Sequence, residues 1–155
     1  MISQKAKYAL RALIALARAP RDKPLLTSDI AEGQAIPKKF LEQILLDLKH
    51  QGIVLSRRGK FGGYQLLKDP GEVTFGQVLR IIDGPIAPLP CLSKIAYRRC
   101  ADCGEEADCE IRQVFARVAE ETRRVLDSTT LEDAIASRAP DLDRATPSDE
   151  VAEVV

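Results

Sequence analysis

The pattern that most constrains this chain is an amphipathic helix followed at once by a glycine-rich, basic segment. Between residues 40 and 48 the apolar side chains recur at helical spacings, and Gly52 stands where this helix should end. Two short strand-like stretches follow, at residues 54–57 and 64–67, separated by the sequence RGKFGG. Glycines permit the tight turn that a β-hairpin needs. The pattern therefore predicts a helix that leads directly into a small hairpin.

A second, shorter helix is predicted just before this one. Thr27 is a suitable N-cap for a helix over residues 28–34, and Pro37 fits the first turn of the helix that follows. Two short helices joined by a tight turn, the second with an exposed polar edge, are typical of a helix-turn-helix. A basic hairpin directly after them is typical of a wing. A nucleotide-phosphate loop is a weaker interpretation of the glycines, because no helix follows them directly.

The remaining segments are mostly helical. The first helix should begin after Ser3, as its N-cap, and end at residues 20–24, where two prolines stand. A fourth helix is predicted over residues 74–82, a long fifth helix over about residues 109–127 and a short sixth helix over residues 130–136.

The long helix carries an apolar seam at spacings of three and four residues. Its members are Ile111, Val114, Phe115, Val118, Thr122, Val125 and Leu126. One small domain cannot readily cover this seam alone, so we expect it to pair with the same helix of a second subunit. A helix that faces the core of its own subunit is the alternative.

These elements predict a fold that is mainly α with one small β-hairpin, a winged helix-turn-helix domain plus a long dimerisation helix. The winged domain covers residues 1–82, and a cysteine-bearing loop covers residues 83–109. The dimerisation helix and the short C-terminal helix occupy residues 110–136. Residues 137–155 form an acidic tail that is predicted to be disordered.

The net charge of zero conceals a strong asymmetry between the two halves of the chain. Residues 1–68 hold 13 basic and 5 acidic side chains, a net charge of +8, and residues 69–155 hold 10 and 18, a net charge of −8. Basic residues around helix and turn signals favour a nucleic acid over a membrane as the partner. No apolar run reaches the ~20 residues of a membrane span. The N-terminal segment has the pattern of an amphipathic helix rather than a secretion signal, so we expect a cytoplasmic protein.

Four cysteines follow one another in the spacing C-x8-C-x2-C-x5-C, at Cys91, Cys100, Cys103 and Cys109. In a reducing cytoplasm such a group favours metal or redox chemistry over a disulfide framework. Thiolates bind iron–sulfur clusters and zinc strongly. A zinc site usually has two close cysteine pairs, and this chain has one. An iron–sulfur cluster is therefore the preferred interpretation, with zinc or cluster-free redox thiols as alternatives.

Several sequence blocks resemble the Rrf2 family of bacterial winged-helix regulators. They are KYAL at residues 7–10, FLEQIL at 40–45, GIV at 52–54, RRGKFGGY at 57–64 and VTFGQV at 73–78. The resemblance covers about residues 1–135. It implies a homodimer, a long dimerisation helix and, in many members, an iron–sulfur cluster held by cysteines in the loop before that helix.

The resemblance also implies a ligand set. Cys103 and Cys109 have the spacing that is common in the family, whereas the gap from Cys91 is longer and Cys100 is additional. Some members use a histidine after the last cysteine or an acid in the first helix as a further ligand. Those positions hold Arg112 and Tyr8 in this chain. Cys100 is therefore the expected fourth ligand of a 2Fe–2S or 4Fe–4S cluster.

By the same resemblance, the third helix should lie in the major groove of double-stranded DNA. Glu42 and Gln43 are then candidate base readers, because carboxylates accept hydrogen bonds from cytosine and amides pair with adenine. Other hydroxyl and basic side chains are suited to contact phosphates or the flanking groove. The full set of expected DNA contacts is Thr27, Ser28, Lys38, Lys39, Glu42, Gln43, Arg57, Arg58 and Lys60.

No catalytic constellation accompanies these features. His50 is the single histidine and has no persuasive partners for a hydrolytic triad. We therefore expect a protein that is not an enzyme but a homodimeric, sequence-specific transcription regulator. The expected mode is repression at a palindromic operator, with redox, iron or nitric oxide state sensed through the cluster. The alternatives are a thiol-redox protein and a zinc-stabilised interaction module without cluster sensing.

Overall fold

The helices and the hairpin follow the order that the sequence predicts. The structure is a computed structural model that describes residues 2–136, so the tail predicted to be disordered lies outside the described residues. The elements are α1 (Gln4–Arg18), α2 (Thr27–Gln34), α3 (Lys38–His50), β1 (Val54–Arg57), β2 (Gly63–Leu66), α4 (Phe75–Ile82), α5 (Glu110–Ser128) and α6 (Leu131–Ala136). Short 3-10 turns lie at Pro70–Glu72 and Pro90–Leu92. The fold is therefore mainly α with one two-stranded antiparallel hairpin, as expected. None of the helices in the described part of the chain is long and apolar enough to cross a membrane.

Helix α1 lies at the centre of the core and contacts α2, α3, α4, α6 and β2. Ser3 caps it as predicted, because its hydroxyl accepts a hydrogen bond from the Ala6 amide at 3.0 Å. Ala6, Ala9 and Ala12 have no exposed surface. Because these side chains are small, the neighbouring elements pack closely against the α1 backbone.

Helices α2 and α3 form the helix-turn-helix, and their starts differ from the prediction. Thr27 is not the N-cap of α2, since the helix begins at Thr27 and Leu26 is the cap residue, without a side-chain hydrogen bond. The reason is tertiary, because backbone hydrogen bonds of 2.9 and 2.8 Å between Leu25 and Tyr64 hold the chain extended up to Leu26. Pro37 is the N-cap of α3 rather than a residue of its first turn, and its carbonyl accepts from the Leu41 amide.

Both helices of this motif end at a residue in the left-handed backbone region. Ala35 follows α2 with a φ of 50°, and Gly52 follows α3 with a φ of 68°. After α3 the Ile53 amide donates to the Leu48 carbonyl at 3.0 Å, which closes the last turn. Gly52 therefore ends α3 as predicted and directs the chain into β1.

The hairpin pairs Val54 with Leu66 and Arg57 with Gly63. The strand β2 thus begins and ends one residue before the predicted stretch. Gly63 has a φ of 139°, and a Cβ atom there would lie 2.3 Å from the Leu25 carbonyl oxygen. Only glycine permits this approach, which joins the hairpin to the segment that leads into α2.

Three later helices begin one residue after their predicted starts, because a residue expected inside the helix serves as its N-cap. The Thr74 hydroxyl accepts from the Gln77 amide at 3.2 Å at the start of α4. The Cys109 sulfur accepts from the backbone amide three residues later at the start of α5. Thr130 and Asp133 bond each other reciprocally at the start of α6.

Helix α5 is joined to α4 by a bidentate ion pair. The Arg80 guanidinium donates to both carboxylate oxygens of Asp127, at 2.6 and 2.9 Å. Asp127 lies over Gly76, where a Cβ atom would be 2.0 Å from its Oδ1. The Asp127 carboxylate can therefore keep this position, and its ion pair with Arg80, only beside a residue without a side chain.

We predict that Gly63→Ala lowers the free energy of unfolding by about 2–4 kcal/mol, since the added Cβ must displace the Leu25 backbone and also adopt an unfavourable φ. Urea denaturation followed by circular dichroism measures the change. Gly33→Ala is the matched control, because nothing lies within 4 Å of its added Cβ. That variant should be as stable as the wild type or slightly more stable. Equal stability of the Gly63→Ala variant and the wild type would contradict the close approach.

Candidate nucleic-acid interface and cysteine site

Helix α3 presents one apolar face to the core and one polar face to solvent. The side chains without exposed surface are Leu41, Ile44, Leu45 and Leu48. The exposed face carries the predicted DNA contacts Lys38, Lys39, Glu42 and Gln43. Leu46 is 39% exposed, and sequence reasoning did not select it. The four buried leucine and isoleucine side chains thus fix the rotation of α3 and hold its polar face outward.

The remaining predicted contacts lie on the elements on either side of α3. Ser28 is exposed and Thr27 half-buried in the first turn of α2, where backbone N–H groups lack helical partners. Arg57, Arg58 and Lys60 are all exposed on the hairpin. The structure therefore places cations or free donors before, along and after α3.

The tip of the hairpin also carries an aromatic residue that sequence reasoning missed. Phe61 is 84% exposed, and the Lys60 ammonium lies 5.8 Å from the centroid of its ring. An exposed aromatic ring in a turn made otherwise of glycines and cations is the signal that could have identified it. Such a ring can pack on sugars or bases in a groove.

The polar face of α3 includes a short chain of hydrogen bonds. The Gln43 side-chain amide donates to Asp47 Oδ1 at 2.9 Å, and Lys5 of α1 donates to Asp47 Oδ2 at 2.8 Å. The bond from Lys5 holds the pKa of Asp47 below its usual value, with a smaller contribution from Gln43. Gln43 is therefore tied to an ionised carboxylate on its own helix. Sequence reasoning did not single out Asp47 or Lys5 for this role.

All four cysteines line one cavity of about 640 Å³ between the loop and the start of α5. All four are free thiols. Cys91 is buried, Cys103 and Cys109 are half-buried and Cys100 is exposed. The structure thus brings together the four residues that the spacing singled out.

The electrostatics of this cavity favour a protonated thiol at Cys103. A hydrogen bond with Cys109, followed by desolvation and a bond with Cys100, raises the pKa of Cys103 to about 11. The positive charges of Arg98 and Arg99 in the same loop would lower the pKa of a nearby thiol, but the pKa of Cys103 is raised despite them. A bound metal centre would have to displace the proton.

The four thiols that line the cavity are ligands of the kind that both iron–sulfur clusters and zinc use. Within residues 2–136, no group of three or more cysteine, histidine or acidic side chains is arranged to hold one metal ion. Four thiols around a larger cavity match in kind the ligands of a multi-iron cluster. Arg112 lines the same cavity, and its buried Nε has the Glu106 carboxylate 3.7 Å away but no partner at hydrogen-bond distance. A sulfide of a cluster is an acceptor suited to such a donor.

A hydrogen bond connects the cysteine loop to α5, and an ion pair connects α5 to α4. The Arg123 guanidinium on α5 donates to the Leu92 carbonyl at 2.9 Å, directly after Cys91. One turn further along α5, Asp127 forms the ion pair with Arg80 of α4 described above. The loop, α5 and α4 are therefore linked by a series of polar contacts.

The apolar seam of α5 is largely exposed in the single chain. Its exposed fractions are 63% at Ile111, 60% at Val114, 40% at Phe115, 48% at Val118 and 53% at Val125. Ala119 and Leu126, by contrast, face the body of the protein. The alternative prediction that the seam faces the core of its own subunit is therefore wrong for most of its members. An exposed apolar strip of this length is typical of an interaction surface.

Comparisons with known proteins agree with this arrangement. The family model described as Rrf2, iron-dependent transcriptional regulator, matches residues 2–137. An rrf2-like HTH-type transcriptional regulator of Rhodobacter capsulatus is 54% identical over 90% of this chain and 95% of its own length. CymR of Bacillus subtilis is 34% identical over 85% of this chain and 87% of its own length. IscR of Photobacterium profundum is 29% identical over 84% of this chain and 72% of its own length.

Solved structures give the same result. The structure of CymR of B. subtilis, described as the global cysteine regulator, has a TM-score of 0.74 at 34% identity and covers 88% of this chain and 96% of that chain. IscR of T. potens has a TM-score of 0.69 at 26% identity and covers 88% of this chain and 86% of that chain. The fold and the relatives are those of DNA-binding transcription regulators rather than enzymes. The chain, with its winged helix-turn-helix and long α5, belongs to the Rrf2 family of transcriptional regulators.

Proposed function

We propose that this protein is a cytoplasmic, homodimeric repressor that reads a palindromic DNA operator and adjusts its affinity through an iron–sulfur cluster held by its four cysteines. The observation that carries the proposal is the placement of all four cysteines around one cavity at the start of α5, the helix whose apolar seam is exposed. The cysteine loop that would hold the cluster therefore lies at the N-terminal end of α5, the helix that would form the dimer contact.

DNA recognition would use α3 in the major groove and the hairpin against the adjacent groove or backbone. Glu42 and Gln43 would read base edges, whereas Lys38 and Lys39 would contact base edges or phosphates. Thr27 and Ser28 would hold a phosphate at the start of α2, and Arg57, Arg58 and Lys60 would reach the flanking DNA. Every one of these side chains except the half-buried Thr27 is exposed, and this exposure and the charge of +8 on residues 1–68 support the assignment.

The dimer would form by contact of the α5 seam with the same seam of a second copy. A closed two-fold contact buries the same patch twice, and it places two recognition helices on one duplex about one helical turn or a multiple of it apart. The 19-residue length of α5 gives a helix of roughly 28 Å at 1.5 Å per residue, which provides a long contact.

Sensing would act through the loop that contains the cysteines. Cys91, Cys100, Cys103 and Cys109 would supply thiolate ligands, and a cluster bound there supplies a centre that changes with redox, iron or nitric oxide state. Arg123 ties the Cys91 end of the loop to α5, and Asp127 ties α5 to α4. Regulation requires that ligation favour one dimer geometry over another, because only a difference in affinity between two states shifts their populations.

The first test concerns DNA binding. With six to eight phosphate contacts per dimer, the slope of log affinity against log salt on a duplex of random sequence should be about −5 to −7. Arg58→Ala should weaken binding to every sequence and reduce the slope by about 2, because each dimer carries two copies of the residue. Filter binding or fluorescence anisotropy over a salt series measures both. A slope near zero would exclude the proposed interface.

The second test concerns assembly. Val118→Asp places an ionised carboxylate in the exposed seam, so the variant should be monomeric at micromolar concentration and bind DNA poorly. Sedimentation velocity gives the state of association. Arg124→Asp is the matched control, since it introduces the same side chain on the same helix outside the seam, and it should remain dimeric. A monomeric wild type would refute the dimer.

The third test concerns the cysteines. Iron and sulfide are supplied anaerobically to each single Cys→Ser variant, and bound iron, visible absorbance and DNA affinity are measured. We expect Cys91→Ser, Cys103→Ser and Cys109→Ser to lose the cluster and the change in affinity that accompanies it, and Cys100→Ser to lose or weaken both. If all four variants match the wild type in iron content and affinity, the cysteines do not form a cofactor site. Colourless protein with stoichiometric zinc would instead favour the zinc-stabilised module.

A further inference from the structure

Asp47 is an acidic residue on the helix that the proposed function places against a polyanion. A carboxylate at such a position is repelled by phosphates, so its presence on α3 calls for a physical role. The side chain is only partly exposed, at 30%, and it lies between Lys5 of α1 and Gln43 of its own helix. Its two oxygens are used separately, Oδ2 by Lys5 and Oδ1 by Gln43.

The ion pair with Lys5 fixes Asp47 in both charge and position. The Lys5 ammonium lies 2.8 Å from Oδ2 and lowers the pKa of Asp47, so the carboxylate is ionised at neutral pH. Lys5 in turn belongs to α1, where the adjacent Ala6 is completely buried in the core. Asp47 is therefore held by a rigid neighbouring helix rather than by its own side-chain preferences.

An ionised carboxylate accepts hydrogen bonds and has no hydrogen to donate. Of the two ends of the Gln43 amide, only the nitrogen can therefore face Asp47, and the 2.9 Å contact from Nε2 to Oδ1 has this sense. Among the described residues, the carbonyl oxygen Oε1 and the second N–H of the amide have no hydrogen-bond partner. Without Asp47 the amide could turn over and exchange the places of its donor and its acceptor.

This orientation has a consequence for base recognition. Adenine offers one donor, N6–H, and one acceptor, N7, in the major groove, and an amide pairs with it by using its oxygen and one N–H. Guanine offers two acceptors there, which an amide of fixed orientation cannot satisfy together. We propose that Asp47, held by Lys5, is a positioning residue that fixes the Gln43 amide for selective pairing with adenine. This role rests on the proposed placement of α3 in the major groove.

The proposal predicts two effects of opposite sign in one variant. Asp47→Ala removes a negative charge beside DNA, so affinity for duplexes of random sequence should rise about two- to fivefold at low salt. The same change frees the Gln43 amide to turn over and to move between rotamers. Preference for adenine at the position that Gln43 reads should therefore fall about three- to tenfold, whereas preferences at the other positions stay within about twofold. A purely structural role would lower affinity at all positions together.

The experiment begins with a pool of random duplexes, from which the bound fraction is sequenced to give the base preference at each position. Wild type, Gln43→Ala, Asp47→Ala and Lys5→Met are compared, and single-substitution duplexes are then titrated. Glu32→Gln is the matched control, since it removes one negative charge from an exposed site on α2. It should leave all base preferences unchanged. Circular dichroism and urea denaturation establish that each variant is folded.

We expect Gln43→Ala to remove an adenine preference at one position of each half-site, Asp47→Ala to weaken the same preference, and Lys5→Met to weaken it to a smaller extent. In the double variant Gln43→Ala/Asp47→Ala, loss of Asp47 should cause no further loss at that position, because the side chain that it orients is absent. An unchanged adenine preference in Asp47→Ala would overturn the inference and leave the proposed function intact. A preferred base other than adenine at the position that Gln43 reads would likewise overturn the inference and leave the proposed function intact. A wild type that binds duplexes without any base preference would overturn both.

Discussion

The close packing of α1 is the constraint on which the rest of the structure depends. Ala6, Ala9 and Ala12 are completely buried where α1 meets its neighbours, and any larger side chain there would have to displace a helix. Polar residues at the start of this firmly packed helix form hydrogen bonds to two other elements. Ser3 donates its backbone N–H to Asp83 at the end of α4, and Lys5 donates to Asp47 on α3. Helix α1 therefore lies at the centre of the core and also holds α3 and the end of α4 in position.

Helices α4 and α5 form a second close contact. Unlike the apolar packing around α1, this contact includes an ion pair. It combines a bidentate Arg80–Asp127 ion pair with the absence of a side chain at Gly76, so it is polar and directional rather than apolar. The exposed fractions of the two charged side chains are 32% and 44%, so solvent weakens the pair only in part. Because the two hydrogen bonds of the pair are directional, they restrict how α5 can rotate or slide against α4. The proposed regulation would need such a restriction between the cysteine loop and the DNA-binding domain.

The element order, the helix-turn-helix, the hairpin and the cysteine group could be predicted because they follow from local patterns. Apolar periodicity defines α3 and α5, and Gly52 ends α3 through its own conformational freedom. What could not be predicted depends on contacts between distant residues. Thr27 is a good N-cap by its chemistry, yet the bridge from Leu25 to Tyr64 moves the helix start. The tie between Lys5 and Asp47 spans 42 residues of sequence, and no local pattern marks it.

The charge asymmetry and the exposed seam place related constraints on how the molecule would assemble. The α5 helix carries apolar residues along one side, and ion pairs such as Arg124–Glu121 lie elsewhere on its surface. A second copy is suited to cover the apolar side, because a two-fold contact closes and leaves no further apolar surface to recruit a third chain. The excess negative charge of residues 69–155 would repel DNA, so the proposed dimer presents its basic winged domains to the duplex and keeps its acidic half away from it. Charge sorting along the sequence would then set the orientation of the proposed dimer on DNA, and α3, with its Gln43 amide oriented by Asp47, would discriminate among bases.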